Sequence, residues 1–591
     1  MIDPAEDSRA PLRRSVYLLL VVLSAGMMTG RILAVNSVDV IALEREKVKQ
    51  LVAAKRRQLQ EQGLAGDELA KKMAAEQERI SESYVRQRPF LSGNDRSRWC
   101  TVRALVEHGT YAIDEVIAEE NWDTIDMVRH VGRDGRQHLY SSKPTLLPTL
   151  VAGEYWVIHK LTGDTLGSHP FAIGRLMLIT INVTALAAAM LLLARLAERY
   201  GTTDWGRVFV VAAAAFGTLL TTFAVVLNNH VIGAAASIAA LYPVLRIWYD
   251  GQRRLRYFAA AGLFAAFTAA NELPALAFFA ALAVAVFYKA PRQAAVAFVP
   301  AAAIVAAAFF GTQYAAHGTL TPAYAHRKAG ERLFSADAAH RDDLAEGNIP
   351  PNLRRRFEAE NVELPGDVRV LARESIRKTR GEKHPGWVIT NEQVTYGVLD
   401  EGESLEVHAW DDWYDYTYKR RPDNPRDKMR ISYWSDTAGR AKIDRGEPRL
   451  GVYVLHSLVG HHGIFSLTPL WLLSVLGVLL LFRRPTRRPA LGLCIAGVSL
   501  ACLIFFLFLR PVEDRNYGGT SSGFRWMFWL APAWLVAMIP TADAASKTRL
   551  RRGAALLLLA LSALSAAYPV WNPWRHPWLW NFMEYLEWIE T

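Results

Sequence analysis

Apolar residues in this chain come in blocks of membrane length, separated by strongly polar stretches. A hydropathy window of about 19 residues picks out 15–34 (SVYLLLVVLSAGMMTGRILA), 171–195, 207–227, 231–248, 256–270 and 272–288 in the first half. It then picks out 293–314, 464–482, 489–509, 525–541 and 553–570. At ~20 residues per crossing this predicts about eleven transmembrane helices. The pair 256–270 and 272–288 lies closest together, parted only by NELP. Two long polar stretches interrupt the series, 38–143 and about 315–451.

The polar stretches carry their own patterns. Residues 40–86 are rich in Glu, Lys, Gln and Ala, with Gly63 and Gly66 in the middle, and read as two polar helices with a break. Sustained heptads are lacking, so a solvated hairpin or stalk is favoured over a partner-binding coil. Within 315–451, WVITNEQVTYGVL and SLEVHAWDDWYDYTY alternate as strands do and predict a small mixed α/β domain. The segment up to Thr162 that begins PTLLPTLVAGEYW is apolar but holds Glu154, His159, Lys160 and Pro148. It predicts a helix lying in the membrane interface.

Basic residues at the span ends set the topology. With Arg13 and Arg14 on the cytoplasmic side, alternation puts ARLAERYG, RIWYDGQRRLRY, YKAPRQ, RRPTRRP and SKTRLRRG on that same side. Both polar blocks, the loop NYGGTSSGFRW and the C-terminal tail then face outward. The expected division is a tail and first span (1–37), a first outer loop (38–170) and a bundle (171–314). An outer mixed domain (315–451), a second bundle with a Gly-rich outer loop (452–571) and an outer tail (572–591) follow. The first apolar stretch is too long for a signal h-region and reads as a retained helix.

Composition changes this picture little. The chain of 591 residues is 51% hydrophobic and 21% charged, and its mean hydropathy of +0.07 averages two unlike populations. Eighteen Trp and twenty-one Tyr suit a protein with many interfacial side chains. The net charge of +11 would suggest nucleic acid on a soluble protein. Here the arginines abut apolar segments, so topology accounts for them and no nucleic-acid partner is expected. Three cysteines, two of them inside an apolar run, exclude a disulfide framework or a CxxC metal site.

Candidate chemistry gathers in the outward loops. The run SGNDRSRWC (92–100) puts Asp95 beside Arg96 and Arg98. Asp95 is either a surface acid paired with an arginine or, just above the membrane, a general base that the arginines keep ionised. Lys143, before Pro144, either snorkels to the interface or reaches a lipid phosphate as a point charge. In PVEDRNYGGTSSGFRW, Gly518, Gly519 and Gly523 permit close backbone approach, with Tyr517 preceding them and Arg525 closing the loop. An arginine at the mouth of a span needs an anionic partner, and such a loop suits phosphate recognition. It is not a P-loop, and there is no Rossmann fingerprint.

Further polar groups lie at the same depth. Asn229 and His230 sit between two spans and Glu272 between the next two, as interfacial caps or site residues. His456, His461 and His462 cluster in LHSLVGHHG. Hydrogen-bonded histidine is favoured there over metal ligation, since no ligand spacing with carboxylates is visible.

The order of these pieces resembles the GT-C class of integral-membrane glycosyltransferases, in particular the protein O-mannosyltransferases and the lipid A aminoarabinose transferases. Those families carry Asp-Glu-x-Arg-aromatic in the first outer loop. Asp95, Arg98 and Trp99 match that pattern, while Arg96 stands at the Glu position. Lys143-Pro144 is similar to their Lys-Pro-Pro, with Thr145 in place of the second Pro, and YGGTSSGFRW resembles a GG-x-S-x-G-x-R loop of bacterial members. The resemblance implies a polytopic α-helical GT-C-like bundle in a bacterial-type inner or plasma membrane, with the N-terminus cytoplasmic and the active site exoplasmic. It implies transfer, with inversion, from a polyprenyl-phosphate-linked sugar to a glycan, lipid or protein. Asp95 would then be the base, and Lys143, Arg525, Arg98, Tyr517, Gly519, Asn229, His230, Glu272 and His462 would bind substrate. Membrane lipids are the other expected partners. The resemblance implies no certain cofactor and leaves a divalent metal open.

Two other classes compete. A transporter or flippase of lipid-linked or anionic substrates would also be a multi-span bundle, but transport sites lie near mid-bilayer, often with internal repeats, and none is visible here. A non-catalytic envelope assembly protein would use 40–86 and 315–451 as docking modules.

Overall fold

The computed structural model describes residues 8–34, 38–83, 89–379, 382–421, 424–425, 427–435, 439–483 and 487–589. Among these, eight helices are long and apolar enough to cross a membrane. They are Ala10–Ala34, Pro170–Tyr200, Asp204–Val225, Asn229–Tyr249, Pro291–His317, Pro489–Phe508, Arg525–Ala545 and Arg549–Ala567. The three other expected spans fall on shorter helices: Leu255–Asn271, Leu273–Lys289 and Trp471–Leu481. Glu272 leaves the helical region at φ −132°, and Pro274 follows within the next turn, so the NELP break is sharp. Pro469 parts the 464–482 segment into Ile464–Leu467 and Trp471–Leu481, since proline lacks the N–H that an unbroken helix needs there.

One end of the bundle collects the basic clusters. Arg13 is buried and binds Glu198 at 2.8 Å and Asp204 at 2.7 Å. Tyr17 donates its hydroxyl to the same Glu198 at 2.5 Å. Arg199 and Arg246 both hold Asp250, and the Arg488 guanidinium lies 4.6 Å over the Tyr200 ring. Asp543 caps the helix start at Thr203 by accepting the N–H groups of Thr202 and Thr203. The segments around 13, 200, 250, 488 and 543 therefore share one face, as the charge pattern requires. RRPTRRP lies partly outside the described residues.

The opposite end carries the polar loops. Val38–Glu61 and Gly66–Ser83 form a helical pair joined through Gly63 and Gly66, both at positive φ. Gly93–Arg103 follows as a short helix whose residues from Asp95 onward are all buried. A hairpin pairs Met127–Val131 with Gln137–Ser141, in register from Met127↔Ser141 to Val131↔Gln137. Its turn closes at Asp134, which accepts from the N–H of Arg136, with Gly135 at φ +78°. Leu146–Thr162 buries Leu147, Val151 and Tyr155 and exposes Leu150, Val157 and Leu161, so it is apolar on both faces.

The 315–451 stretch contains an antiparallel five-stranded sheet. Its spatial order is Arg332–Asp337, Ser404–Ala409, Thr395–Asp400, Glu382–Thr390, Arg369–Thr379. Alternate residues Val398, Leu405 and Val407 pack with Phe334 on Leu353 and Phe357 of the helix Pro351–Ala359. The period-2 pattern thus buries one face of the sheet. Arg129 of the first-loop hairpin donates its N–H to Trp413 at 2.9 Å, which docks this domain onto the first loop.

Replacing Arg13 by Met removes the cation bound to Glu198 and the shortest of the ion pairs of Asp204, which keeps Arg9 at 3.3 Å and Arg207 at 3.8 Å. We expect a loss of about 1.5–3 kcal/mol, the usual range for hydrogen bonds to charged groups, read as earlier thermal unfolding of the detergent-purified chain.

Candidate functional site

A cavity of about 1510 Å³ opens where the first loop, the sheet domain and the bundle meet. One wall is apolar and comes from three successive helices: Ala266 and Ala270, then Leu276 and Phe279, then Ala302 and Phe310. The other end is charged. Arg98, Lys143, Arg525, Asp126 and Glu272 line it, and the sheet domain and the segment after it add Arg327, Tyr414, Trp434 and Asp444.

Each charged group is delivered by a short local device. Asn228 caps the helix Asn229–Tyr249 by accepting the N–H groups of His230 at 2.8 Å and Val231 at 3.1 Å. That turn presents Asn229 to Arg98, whose Nη2 donates to Asn229 Oδ1 at 2.6 Å. Asn229 Nδ2 donates in turn to Glu272 Oε1 at 2.8 Å, and His230 Nδ1 lies 2.6 Å from the same oxygen. The other His230 nitrogen is 3.1 Å from Arg525 Nη1. Arg525 Nε donates to the carbonyl of Gly518 at 2.6 Å, and its guanidinium lies 4.9 Å over the Trp574 ring. Gly518 and Gly519 have φ of +96° and +75°, a backbone that side-chain-bearing residues rarely adopt. The Gly-rich loop is thus a turn that aims an arginine.

Lys143 sits just beyond the open end of the first-loop hairpin, one residue past the Ser142 that pairs with Asp126, and its Nζ is 2.9 Å from Asp126 Oδ1. Burial pushes the Lys143 ammonium down to about 8; Asp126 opposes the shift, and Arg98 and Arg525 add to it.

Of the ten residues singled out from the sequence, seven line the cavity: Lys143, Arg525, Arg98, Gly519, Asn229, His230 and Glu272. The other three stand behind its wall. Tyr517 is buried and stacks on His462, with centroids 5.3 Å apart. His462 is buried too, its Nδ1 2.6 Å from that of His461, in a packed group with His576 and Trp580. Among the described residues no three His, Cys, Asp or Glu side chains are placed to hold a metal ion.

Asp95, expected as the base, is the third. It is 1% exposed. Oδ1 accepts the N–H of Leu227 at 2.9 Å and the indole N–H of Trp99 at 3.0 Å, and Oδ2 accepts the N–H of Leu91 at 3.4 Å. Its own N–H goes to Ser92 Oγ at 3.1 Å, the first half of a capping box. Burial pushes the carboxyl up to about 7, against those N–H donors and the nearby Arg98 and Arg96. Both oxygens accept N–H groups, and Asp95 is absent from the cavity lining. Arg96, at the position where the resemblance has Glu, spends its guanidinium on the carbonyls of Asp123, Pro89 and Phe90. The acid–base run is therefore the clamp of the loop.

Sequence reasoning missed Asp126, Arg327, Tyr414, Trp434 and Asp444. For Asp126 a signal existed: RDGR marks a hairpin turn, and counting outward from it sets Asp126 opposite Ser142, the residue before Lys143. The others depend on how the sheet domain docks.

Asp95→Ala leaves the buried N–H groups of Leu227 and Trp99 without acceptors, at about 1–3 kcal/mol each. We expect clearly earlier unfolding for D95A than for D95N, which keeps one acceptor oxygen; equal stability of D95A and the parent would remove the clamp role. Deprotonation of Lys143 above about pH 8 discharges one of three cations. Binding of an alkyl sulfate, whose own charge does not titrate, should weaken as pH rises through that value and stay flat in Lys143→Arg, measured by titration calorimetry.

No protein-family model and no curated protein matches the chain. Solved structures with a similar arrangement include the apo oligosaccharyltransferase of Archaeoglobus fulgidus, at TM-score 0.34 and 13% identity over 81% of this chain and 52% of that one. The archaeal oligosaccharyltransferase AglB from the same organism, solved with an inhibitory peptide and a dolichol-phosphate, gives 0.33 and 12% over 81% and 52%. The S. cerevisiae protein O-mannosyltransferase complex Pmt1-Pmt2 bound to its sugar donor gives 0.33 and 11% over 85% and 92%. The chain spans about half the length of the archaeal structures it matches. All three are GT-C glycosyltransferases, the class that the order of the sequence motifs resembles.

Proposed function

We propose that this chain is an inverting glycosyltransferase of the outer membrane face, taking a sugar from a polyprenyl phosphate. One observation carries the reading: a single cavity joins an apolar wall built by three helices to a cluster of three cations, Arg98, Lys143 and Arg525. A ligand that fits both ends is amphiphilic, with an anion at the junction. A prenyl tail lies along Ala266, Leu276, Phe279 and Ala302, and the phosphate meets Arg98, Lys143 and Arg525. The sugar then projects toward Tyr414 and Trp434.

In the reaction the acceptor oxygen attacks the anomeric carbon from the face opposite the phosphate. The bond from that carbon to the phosphate oxygen breaks, and the electron pair leaves with the phosphate. Negative charge grows on the leaving group beside cations already held in place, which is the large electrostatic contribution to such a barrier. His230 and Glu272 hold Arg525 and Arg98 in register, through the contacts at 3.1 and 2.6 Å and the shared bridge of Asn229. Asp95 acts as a positioning residue. With the N-terminus cytoplasmic, the cavity faces outward, where the acceptor arrives.

The test uses the full chain in liposomes with a pool of labelled polyprenyl-phosphate sugars and envelope-glycan acceptors. The expected result is transfer of label by the parent protein and a fall of about 10²-fold or more in K143A and in R525A, the scale for removing one charge-stabilising donor. Label crossing the bilayer without transfer would replace this reading by a flippase. Neither transfer nor crossing with any donor would leave only an assembly role.

A further inference from the structure

The glycosyl-transfer reading requires a base, and the cavity offers five carboxylates: Asp126, Glu272, Asp444, Glu513 and Asp514. Three of them have both oxygens engaged. Asp444 accepts from Asn516 at 3.2 Å and from the Tyr433 hydroxyl at 2.7 Å. Glu513 is held by Arg377 at 2.5 Å and Lys383 at 3.7 Å, and Asp514 by Arg327 at 3.4 Å and Arg510 at 3.5 Å. Asp126 and Glu272 remain. Each has one oxygen bound, and among the described residues the other accepts no hydrogen bond.

Their positions separate them. Glu272 stands at the break between Leu255–Asn271 and Leu276–Lys289, the helices that supply the apolar wall. It faces the tail side, and its bound oxygen is committed to His230 and Asn229. Asp126 immediately precedes the hairpin strand that meets the sheet domain, through Arg129 to Trp413 and Gln137 to Asn391. It faces the side from which a water-soluble acceptor enters. Its backbone is fixed as well: its carbonyl accepts from Ser97 Oγ at 2.6 Å and from the N–H of Ser142 at 3.1 Å, and its N–H goes to Thr124 Oγ1.

We propose that Asp126 is the general base of the transfer and that Lys143 is shared between it and the departing phosphate. This rests on the function proposed above. The acceptor O–H breaks and its proton goes to the Asp126 oxygen that faces the cavity, while the acceptor oxygen bonds to the anomeric carbon. The carbon–phosphate-oxygen bond breaks, and its electron pair leaves with the phosphate. Lys143 carries three N–H donors, enough to hold Asp126 Oδ1 and a phosphate oxygen together. Arg98, Arg525 and Asp444 also act electrostatically with Asp126, and Tyr414 faces it from the sheet domain. Product release returns the proton to water and restores the carboxylate.

The experiment compares the parent, D126N, D126E and E272Q in liposomes, reading turnover against pH and, separately, binding of the unreactive polyprenyl phosphate. D126N is expected to lose about 10²–10⁴-fold in turnover, the range of a general base, with prenyl-phosphate binding changed by less than about threefold. The acidic limb of the rate profile should vanish in D126N and persist in E272Q. If D126N does not accumulate as folded protein, D126E decides the point, because a carboxylate one methylene farther out must displace that limb; an unmoved limb overturns the proposal. Near-parent turnover in D126N, or loss of the limb only in E272Q, also overturns it while leaving glycosyl transfer standing. A parent protein inactive with every donor instead removes the function on which the proposal depends.

Discussion

Two N–H groups, from Leu227 and Trp99, meet on one oxygen of Asp95. Through that oxygen the first outer loop is fastened to the turn that starts the helix Asn229–Tyr249. The fastening propagates. Leu227 sets Asn228 as the cap, the cap orients Asn229 and His230, and these pass on to Arg98, Glu272 and Arg525. A buried arginine is tolerated only when its donors are met, so each link holds the next in place. Elements separated by hundreds of residues are thereby kept within hydrogen-bond distance without a single covalent tie.

The bundle was legible because membrane-length apolar blocks announce themselves, and because Arg and Lys at their ends must share a face. Of the expected spans, the 464–482 segment is the one that proline divides, since Pro469 interrupts a run whose composition still reads as continuous. Seven of the ten candidate residues line the cavity as well, since polar groups at the ends of apolar runs have few places to go. The partners of Asp95 were not legible. Sequence shows which residue stands at a position and leaves open which way its carboxylate turns. Yet Ser92, three residues before Asp95, is a cap signal that favours the helix start over the open site. Asp126 was hidden for a different reason. Its partner Lys143 lies across a hairpin, one residue past the Ser142 that faces it, and their nearness appears only when register is counted from the turn.

The sheet domain brings a second physical layer. Its core closes on itself through Phe334, Phe357 and Val398, while its edge segment with Trp413 and Tyr414 is given to the first loop. The site is therefore roofed by a unit that folds around its own apolar centre. Docking depends on backbone bonds and stacked rings, among them His130 of the first loop on the Trp413 indole at 4.0 Å, which His326 backs from within the domain at 3.6 Å. Those contacts are short in reach and directional, which suits a lid that must keep its register above a charged floor.

The wall of alanines and phenylalanines grips by dispersion and water exclusion alone, with no donor or acceptor along it to mark a distance. On the function proposed above, an isoprenoid lying there would gain roughly the same amount from each unit in contact until the groove ends, and everything farther would trail among the surrounding lipids. Such a surface cannot count repeats. Discrimination between carriers of different length has to vanish beyond the groove's own extent, and whatever selectivity the molecule possesses must be exercised at the head.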